Sequence, residues 1–266
     1  MKQVKQYEYV DLGLPSGLKW AKCNIGAENE TDYGDYFMWG STTPNTADEC
    51  NWAKAPFNGG SSSYNETYFN SVKDTVCPNG VLAKEYDTAS QIMGGDWRMP
   101  TATEYLTLRN ETLWVWCPCG NVGIKKTDES GNETIEYIEY PPGYFVFKTE
   151  SDKNKRGTFT TDENDNLIGY TATSRTVYYP GAHEVKEGNI TSIADGDIHI
   201  FFPVSGYAHG KGVYYRGSYG IYWSSSLHPS YSDYGLYLYF LSGYIYPQRN
   251  CNRYYGFCVR SVLRNN

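Results

Sequence analysis

Residues 236–247, LYLYFLSGYIYP, read as two β-strands closed by a Ser242-Gly243 turn. A strand sends successive side chains to opposite faces. Leu236, Leu238 and Phe240 therefore share one face, and Tyr237, Tyr239 and Leu241 share the other. Beyond the turn, Ile245 points one way while Tyr244 and Tyr246 point the other. The simplest packing buries the Leu/Phe/Ile face and turns the tyrosines to solvent. The alternative is a strand buried on both sides, its tyrosines packed beneath residues 117–197. The interleaved Asn, Ser and Asp weigh against it, because polar groups without partners are costly to bury.

The surrounding composition gives that face a purpose. Between Leu227 and Leu263 there is no Lys, Glu, Met, Trp, Thr or Ala. Tyr, Asn, Ser, Cys, Arg and Leu take their place. Ordinary protein surfaces are rich in Lys and Glu, whereas antibody-like binding surfaces are rich in Tyr, Ser, Gly and Asn. The expected ligand-contact residues are His228, Ser230, Tyr231, Asp233, Tyr234, Tyr237, Tyr239, Leu241, Tyr244, Tyr246, Arg249, Asn250, Cys251, Asn252, Tyr254 and Tyr255.

Bulk properties exclude some partners. A net charge of -7 argues against a phosphate backbone, which needs clustered Lys and Arg. No apolar run is long enough to cross a bilayer, so direct membrane insertion is not expected. The opening MKQVKQYEYV has no apolar h-region, and no signal peptide is visible. Of the 7 cysteines, an odd number, at least one stays free in an oxidising compartment. Cys117 and Cys119 flank Pro118, too close for an ordinary unstrained disulfide.

The chain reads as one domain, 1–266, of α+β class. Strand signals surround the turn in VDLGLPSGLKWA, and YGDYFMWG reads as a short aromatic strand. Residues 42–80 are loop-like. A first helix is expected near Lys84–Met93, stopped by Gly94-Gly95. A second begins at Thr101, where Thr101 and Glu104 give a capping box. Residues 117–197 alternate charged turns with β-prone runs and read as a β-rich insertion of hairpins. Dense strand signals return over 198–263.

Six motifs occur in order: GLPSGLKWA, YGDYFMWG, GGDWRMPTATEYLTL, IFFPVSGY, GIYWSSS and RYYGFCVRSVL. Together they resemble the C-type-lectin-type domain shared by formylglycine-generating enzymes and many surface proteins of gut bacteria. The resemblance covers about 1–110 and 198–263, not 117–197. It implies two helices, an antiparallel sheet, and a scaffold role for Trp223, Gly256, Phe257 and Arg260.

The C-terminal part, 227–258, further resembles the variable region of proteins diversified by retroelements. Those elements mutate adenines of a template copy, so an AAC codon becomes any NNC codon. NNC encodes Tyr, Asp, Ser, Cys, His, Arg, Leu and others, but never Lys, Glu, Met, Trp or Gln. Residues 227–258 obey that rule apart from Gln248, which the resemblance places in the fixed frame with Pro247. Cys258 fits a Ser AGC codon changed at its adenine. The implied function is a non-catalytic receptor or adhesin that binds varied protein or glycan targets. The implied location is extracellular, on a bacterial surface or a phage tail, and an oligomer is compatible with it.

A formylglycine-generating oxidase holds copper on paired C-terminal cysteines, and Cys251 and Cys258 invite comparison. Their spacing departs from that family's. A pilus-tip or assembly subunit would use the tyrosine face for one fixed partner. A calcium loop at Asp162–Asn166 lacks Gly at its sixth position, Leu167, and Glu at its twelfth, Thr173, so a polar turn explains it better. Asp195-Gly196-Asp197 is read as a turn. His183, His199, His209 and His228 show no ligand spacing. Trp39, Trp97, Trp114 and Trp116 are read mainly as core. No cofactor and no metal are expected.

Overall fold

The capping box read from Thr101 and Glu104 forms in the computed structural model of the chain. That structure describes residues 7–151, 158–161, 167–171, 177–178, 183–186 and 189–264, with side chains over 7–149 and 190–264. The Glu104 amide donates to Thr101 Oγ1 at 3.2 Å, and the Thr101 amide donates to Glu104 Oε2 at 2.8 Å. Two orphan amides at the helix start are thus satisfied. Glu104 is buried and also takes both Arg98 Nη atoms, at 2.7 and 2.6 Å. The helix runs Ala102–Glu111 (α3). Thr101→Ala is expected to lower stability by about 1 kcal/mol in urea unfolding, as loss of an N-cap does. An unchanged midpoint would contradict the box's role.

The helix expected at 84–93 is divided. Lys84–Tyr86 forms a 3-10 turn, and the α-helix proper is Thr88–Met93 (α2). Asp87 breaks the run because its backbone is extended and its carboxylate caps the second piece, accepting from the Ser90 amide at 2.8 Å. It also accepts from the Met99 amide at 3.0 and 2.9 Å. Burial pushes the Asp87 carboxyl up. Gly94, at φ 72°, ends the helix as expected.

A third helix, Glu66–Val76 (α1), lies where the sequence looked loop-like. Asn65 caps it, accepting from the Tyr68 amide at 3.0 Å, and Phe69 and Val76 point into the core. YGDYFMWG is not a strand. It is a buried loop fastened by one bridge, Phe37 to Phe257, and by the Trp39 indole donating to the Ser224 carbonyl at 3.0 Å.

The strands are mostly antiparallel, and the class is mixed α+β. Tyr9–Val10 and Lys19–Ala21 pair around the Gly-Leu-Pro-Ser-Gly turn. Val262–Leu263 then pairs with Lys19–Trp20, so the two ends of the chain meet in one sheet. The largest sheet runs His199–Pro203, Gly143–Phe147, Leu113–Cys117, Asn189–Ile193, Gly120–Thr127, Glu133–Tyr140, with His183–Lys186 beside Asn189–Ile193.

That sheet revises the 117–197 boundary. Gly143–Phe147 is buried along its whole length and lies between Leu113–Cys117 and His199–Pro203. Its apolar residues face both ways, as a central strand requires. Tyr144 and Val146 join the core containing Trp20 and Phe240, while Phe145 and Phe147 join Phe201 and Tyr140 on the other side. Gly143–Phe147 and Asn189–Ile193 are therefore interior strands of this sheet. The calcium-loop candidate, Asp162–Asn166 with Thr173, lies outside the described residues, as does 1–6. Among the described residues, no helix is long and apolar enough to cross a membrane.

Trp39 and Trp97 are buried. Trp114, half-buried, stacks on Phe202 with ring centroids 5.7 Å apart. Trp116 meets Tyr144 edge-on at 5.0 Å. Core packing is what these four rings do here.

Candidate functional site

The tyrosine-rich segment forms a three-stranded antiparallel sheet, Gly220–Leu227, Tyr234–Leu241, Tyr244–Asn252. The Ser242-Gly243 turn closes it, with Gly243 at φ 77°. Tyr237 faces Trp223 on one side and Arg249 on the other, and Tyr239 faces Ile221 and Tyr246. The register slips between Tyr237 and Tyr239, so Pro247 and Gln248 form a bulge. A bulge on an edge strand is where a residue lacking an amide proton is tolerated. The slip keeps Tyr237, Tyr239, Leu241, Tyr244, Tyr246 and Arg249 on one face, the phase expected from the alternation.

Exposure along that face is not uniform. Tyr244 and Tyr246 are each 48% exposed, but Tyr237 and Tyr239 are 6% and 7% exposed. The expectation that all four turn outward is therefore corrected for Tyr237 and Tyr239. Their strand is the central one and is covered on both sides. The cover is not the 117–197 segment. Tyr237 packs on Phe257 at 5.0 Å and Trp223 at 5.9 Å. Tyr239 packs on Tyr219 at 5.5 Å, with the Arg249 guanidinium 4.4 Å above its ring. Burial pushes both phenols up.

The four frame residues are buried, as expected. Trp223 stacks on Phe257 with centroids 4.1 Å apart, and its indole donates to the Phe37 carbonyl at 2.9 Å. Gly256 bridges Ala208 through two backbone bonds, and a Cβ there would lie 2.7 Å from Cys50 Sγ. Arg260 is fully buried and gives four hydrogen bonds: to Asn24 Oδ1 at 2.8 Å and to the carbonyls of Ala21, Lys22 and Phe201 at 3.1, 2.8 and 2.7 Å. One side chain thus ties the first strands, the large sheet and the last strand together. Burial lowers its pKa.

The remaining candidates divide by position. Tyr231, Ser230, Arg249 and Asn250 are exposed. Tyr244 and Tyr246 stack on each other at 5.5 Å. Asp233, Tyr234, Leu241, Cys251, Asn252, Tyr254 and Tyr255 are half-buried. Tyr254 and Tyr255 stack at 4.6 Å, and Tyr254 meets Trp52 at 5.0 Å. His228 is half-buried and organises its own loop. Its Nδ1 accepts from the Ser230 and Tyr231 amides at 3.1 and 3.0 Å.

Two features escaped the sequence reading. Arg253, amid the candidate residues, is fully buried. Its Nε donates to the Ser232 carbonyl at 2.9 Å and its Nη1 to the Pro56 carbonyl at 3.2 Å, while the guanidinium lies 4.0 Å from the Phe69 ring. Burial lowers its pKa to about 10. Arg253 locks the 228–234 loop to the body of the protein, a job that its Tyr-Tyr neighbours disguised. The second is a tyrosine-bearing hairpin, Tyr207–His209 with Gly212–Tyr214, bridged to Gly256 beside Tyr255. The run YYRGSYG at 214–220 was its visible signal.

Cys251 and Cys258 do not form a pair. Cys258 packs in the core with Trp20 and Tyr222, and its thiol donates to the Tyr33 carbonyl at 3.2 Å. Cys251 borders the other core, with Trp223 and Phe257. Burial pushes each thiol up to about 12. Metal ligation and alkylation both need the thiolate. Iodoacetamide at pH ~8 is therefore expected to label exposed Cys119 well before Cys50, Cys251 or Cys258, read by peptide mass mapping. Rapid labelling of Cys258 would contradict this packing.

His209 Nδ1 sits 3.0 Å from the Cys50 carbonyl and His199 Nδ1 3.0 Å from that of Asp197. Asp195-Gly196-Asp197 is a turn, closed by the Asp197 amide on the Ala194 carbonyl at 3.2 Å. Among the described residues, no group of three His, Cys, Asp or Glu is placed to hold a metal ion.

A family model described as "Domain of unknown function (DUF8237)" matches residues 160–262. The matched stretch takes in the three-stranded sheet and the tyrosine hairpin before it. No curated protein and no solved structure matches the chain.

Proposed function

We propose that the chain is a non-catalytic receptor or adhesin of C-type-lectin fold, with a ligand face diversified by retroelement mutagenesis. The observation that carries the reading is the split between an exposed rim and a buried frame. Tyr231, Tyr244, Tyr246, Arg249 and Asn250 face outward, while Trp223, Phe257, Arg253 and Arg260 are sealed behind them. Surface substitutions usually change stability by only about 0.5 kcal/mol, so such positions are free to vary. Tyr offers a large contact area at low entropic cost, and Asn and Arg add adaptable hydrogen bonds.

Two of the sixteen expected contact residues take a different role under this reading. Tyr237 and Tyr239 act as a floor that stiffens the outer residues. The variable positions are then those on the edge strand, the 228–234 loop and the Tyr254-Tyr255 shoulder. The target is a protein or glycan outside the cell that carries it, and the carrier is a bacterial surface or a phage tail.

The test is a displayed library randomised at Tyr231, Tyr244, Tyr246, Arg249 and Asn250. Selection against unrelated protein and glycan targets is expected to return distinct folded binders. Sequencing the neighbouring DNA is expected to reveal a reverse transcriptase and an Asn-rich template copy differing at adenines. A library that yields no binders, beside DNA lacking both features, would overturn the reading.

A further inference from the structure

The hairpin of residues 207–214 and the turn after it carry a second aromatic surface, outside the 227–258 segment. Tyr214 and Tyr215 are 42% and 52% exposed. Tyr215 stacks on Tyr219 with centroids 4.5 Å apart and planes 14° apart. Tyr207 joins Tyr214 at 5.7 Å and Tyr215 at 5.9 Å, and reaches Tyr255 at 5.4 Å. Tyr219 touches Tyr239, over which Arg249 lies. The rings thus run unbroken into the proposed ligand face.

The backbone holds this surface rigid. Tyr215 adopts φ 55°, a left-handed conformation that a bulky side chain avoids. A glycine would be unstrained there, as Gly217 is two residues later. Strain of this kind persists where the surroundings enforce it, and it gathers at binding sites. The enforcement is visible. The Gly206 amide donates to the Tyr219 carbonyl at 2.7 Å, the Gly217 amide to the Val204 carbonyl at 2.8 Å, and the Tyr219 amide to the Tyr215 carbonyl at 2.9 Å. Gly206 must be glycine, since a Cβ would come within 2.2 Å of the Tyr214 carbonyl oxygen.

Charge indicates what the surface takes. The protein is acidic overall, yet residues 198–264 hold one acid, Asp233, against Lys211, Arg216, Arg249, Arg253, Arg260 and Arg264. Arg253 and Arg260 are buried, but Lys211 and Arg216 are exposed on the same hairpin and turn, and exposed Arg249 lies over the Tyr239 ring. Arg216 is held in place, its Nε and Nη2 donating to Tyr36 Oη at 3.3 and 3.1 Å. Flat phenol rings present a face for the C–H side of a sugar ring, with hydroxyls at the rim for its polar groups. Cations at that rim attract carboxylate or sulfate.

We propose that Tyr207, Tyr214, Tyr215 and Tyr219, with Lys211 and Arg216, form a subsite for an anionic glycan outside the 227–258 segment. This deepens the receptor reading and rests on it. It assigns one ligand class to the part of the surface that lies outside residues 227–258.

The experiment is biolayer interferometry of the full chain on immobilised hyaluronan, heparin, neutral dextran and polyglutamate. Binding is expected to hyaluronan (the carboxylate arm) or heparin (the sulfate arm), and to be lost at ~1 M salt. The Tyr214→Ala/Tyr215→Gly variant keeps the backbone conformation at 215 without strain, so its melting temperature is expected to hold. Its glycan affinity is expected to fall by about tenfold per ring removed. Equal binding to dextran, or binding to polyglutamate alone, would overturn the proposal. So would a loss confined to Tyr244→Ala/Tyr246→Ala with the hairpin variant unaffected. That last result would leave the receptor reading standing, whereas failure of the randomised library would remove the reading on which this one rests.

Discussion

Arg260→Ala is expected to lower unfolding free energy by about 4 kcal/mol, because it leaves several buried acceptors without a donor. The wild-type guanidinium satisfies Asn24 Oδ1 and three carbonyls from distant parts of the chain. Removing it leaves those acceptors buried, and each unsatisfied one costs about 1–3 kcal/mol. It also opens a void against Phe202, whose ring centroid lies 4.6 Å from the guanidinium carbon. Arg260→Lys is expected to recover little, because one ammonium cannot span the acceptors that a planar fork reaches. Urea unfolding followed by circular dichroism measures both. With total stabilities of about 5–15 kcal/mol, that loss is a large fraction of the whole. A loss below about 1 kcal/mol would mean that the frame does not depend on this side chain.

Tyr237→Ala is expected to cost about 3 kcal/mol, in the manner of other buried aromatic truncations. The ring fills space against Trp223 and Phe257, and the void has nothing mobile to collapse into it. Tyr246→Ala, three residues past Gly243 on the same face, is expected to cost less than about 0.5 kcal/mol. The difference between two tyrosines on one sheet face is the informative quantity. Equal costs would show that the face is either wholly buried or wholly free, and the division drawn here would fail.

Why that division was hidden is clear from particular residues. Period-2 alternation fixes which side chains share a face, and Tyr237, Tyr239, Tyr244 and Tyr246 do share one. It says nothing of what lies over the face. Tyr219 and Phe257 come from elsewhere in the chain to cover the central strand, and Arg249 folds over Tyr239. Burial of this kind depends on tertiary packing.

The capping box at Thr101 and the glycine stop at Gly94 were legible because each has a local signature, whereas the frame role of Trp223, Phe257 and Arg260 came from the family resemblance alone. The α1 helix was not legible, since its Asn65 cap and its Phe69 and Val76 contacts sit amid Asn, Ser and Gly that signal loop. Gly143–Phe147 was legible as a strand but not as core. Its burial depends on pairing with His199–Pro203, more than fifty residues away. Arg253 read as one more polar residue in a variable stretch, and only the carbonyls of Ser232 and Pro56 reveal its work.

The most direct test is the thermal unfolding of a chain in which Tyr231, Tyr244, Tyr246, Arg249 and Asn250 are all replaced by Ser. An outer face resting on a rigid frame predicts a Tm within about 3 °C of the parent. A fall of about 10 °C or more would show that these side chains hold the fold together, and a surface free to vary would have to be given up.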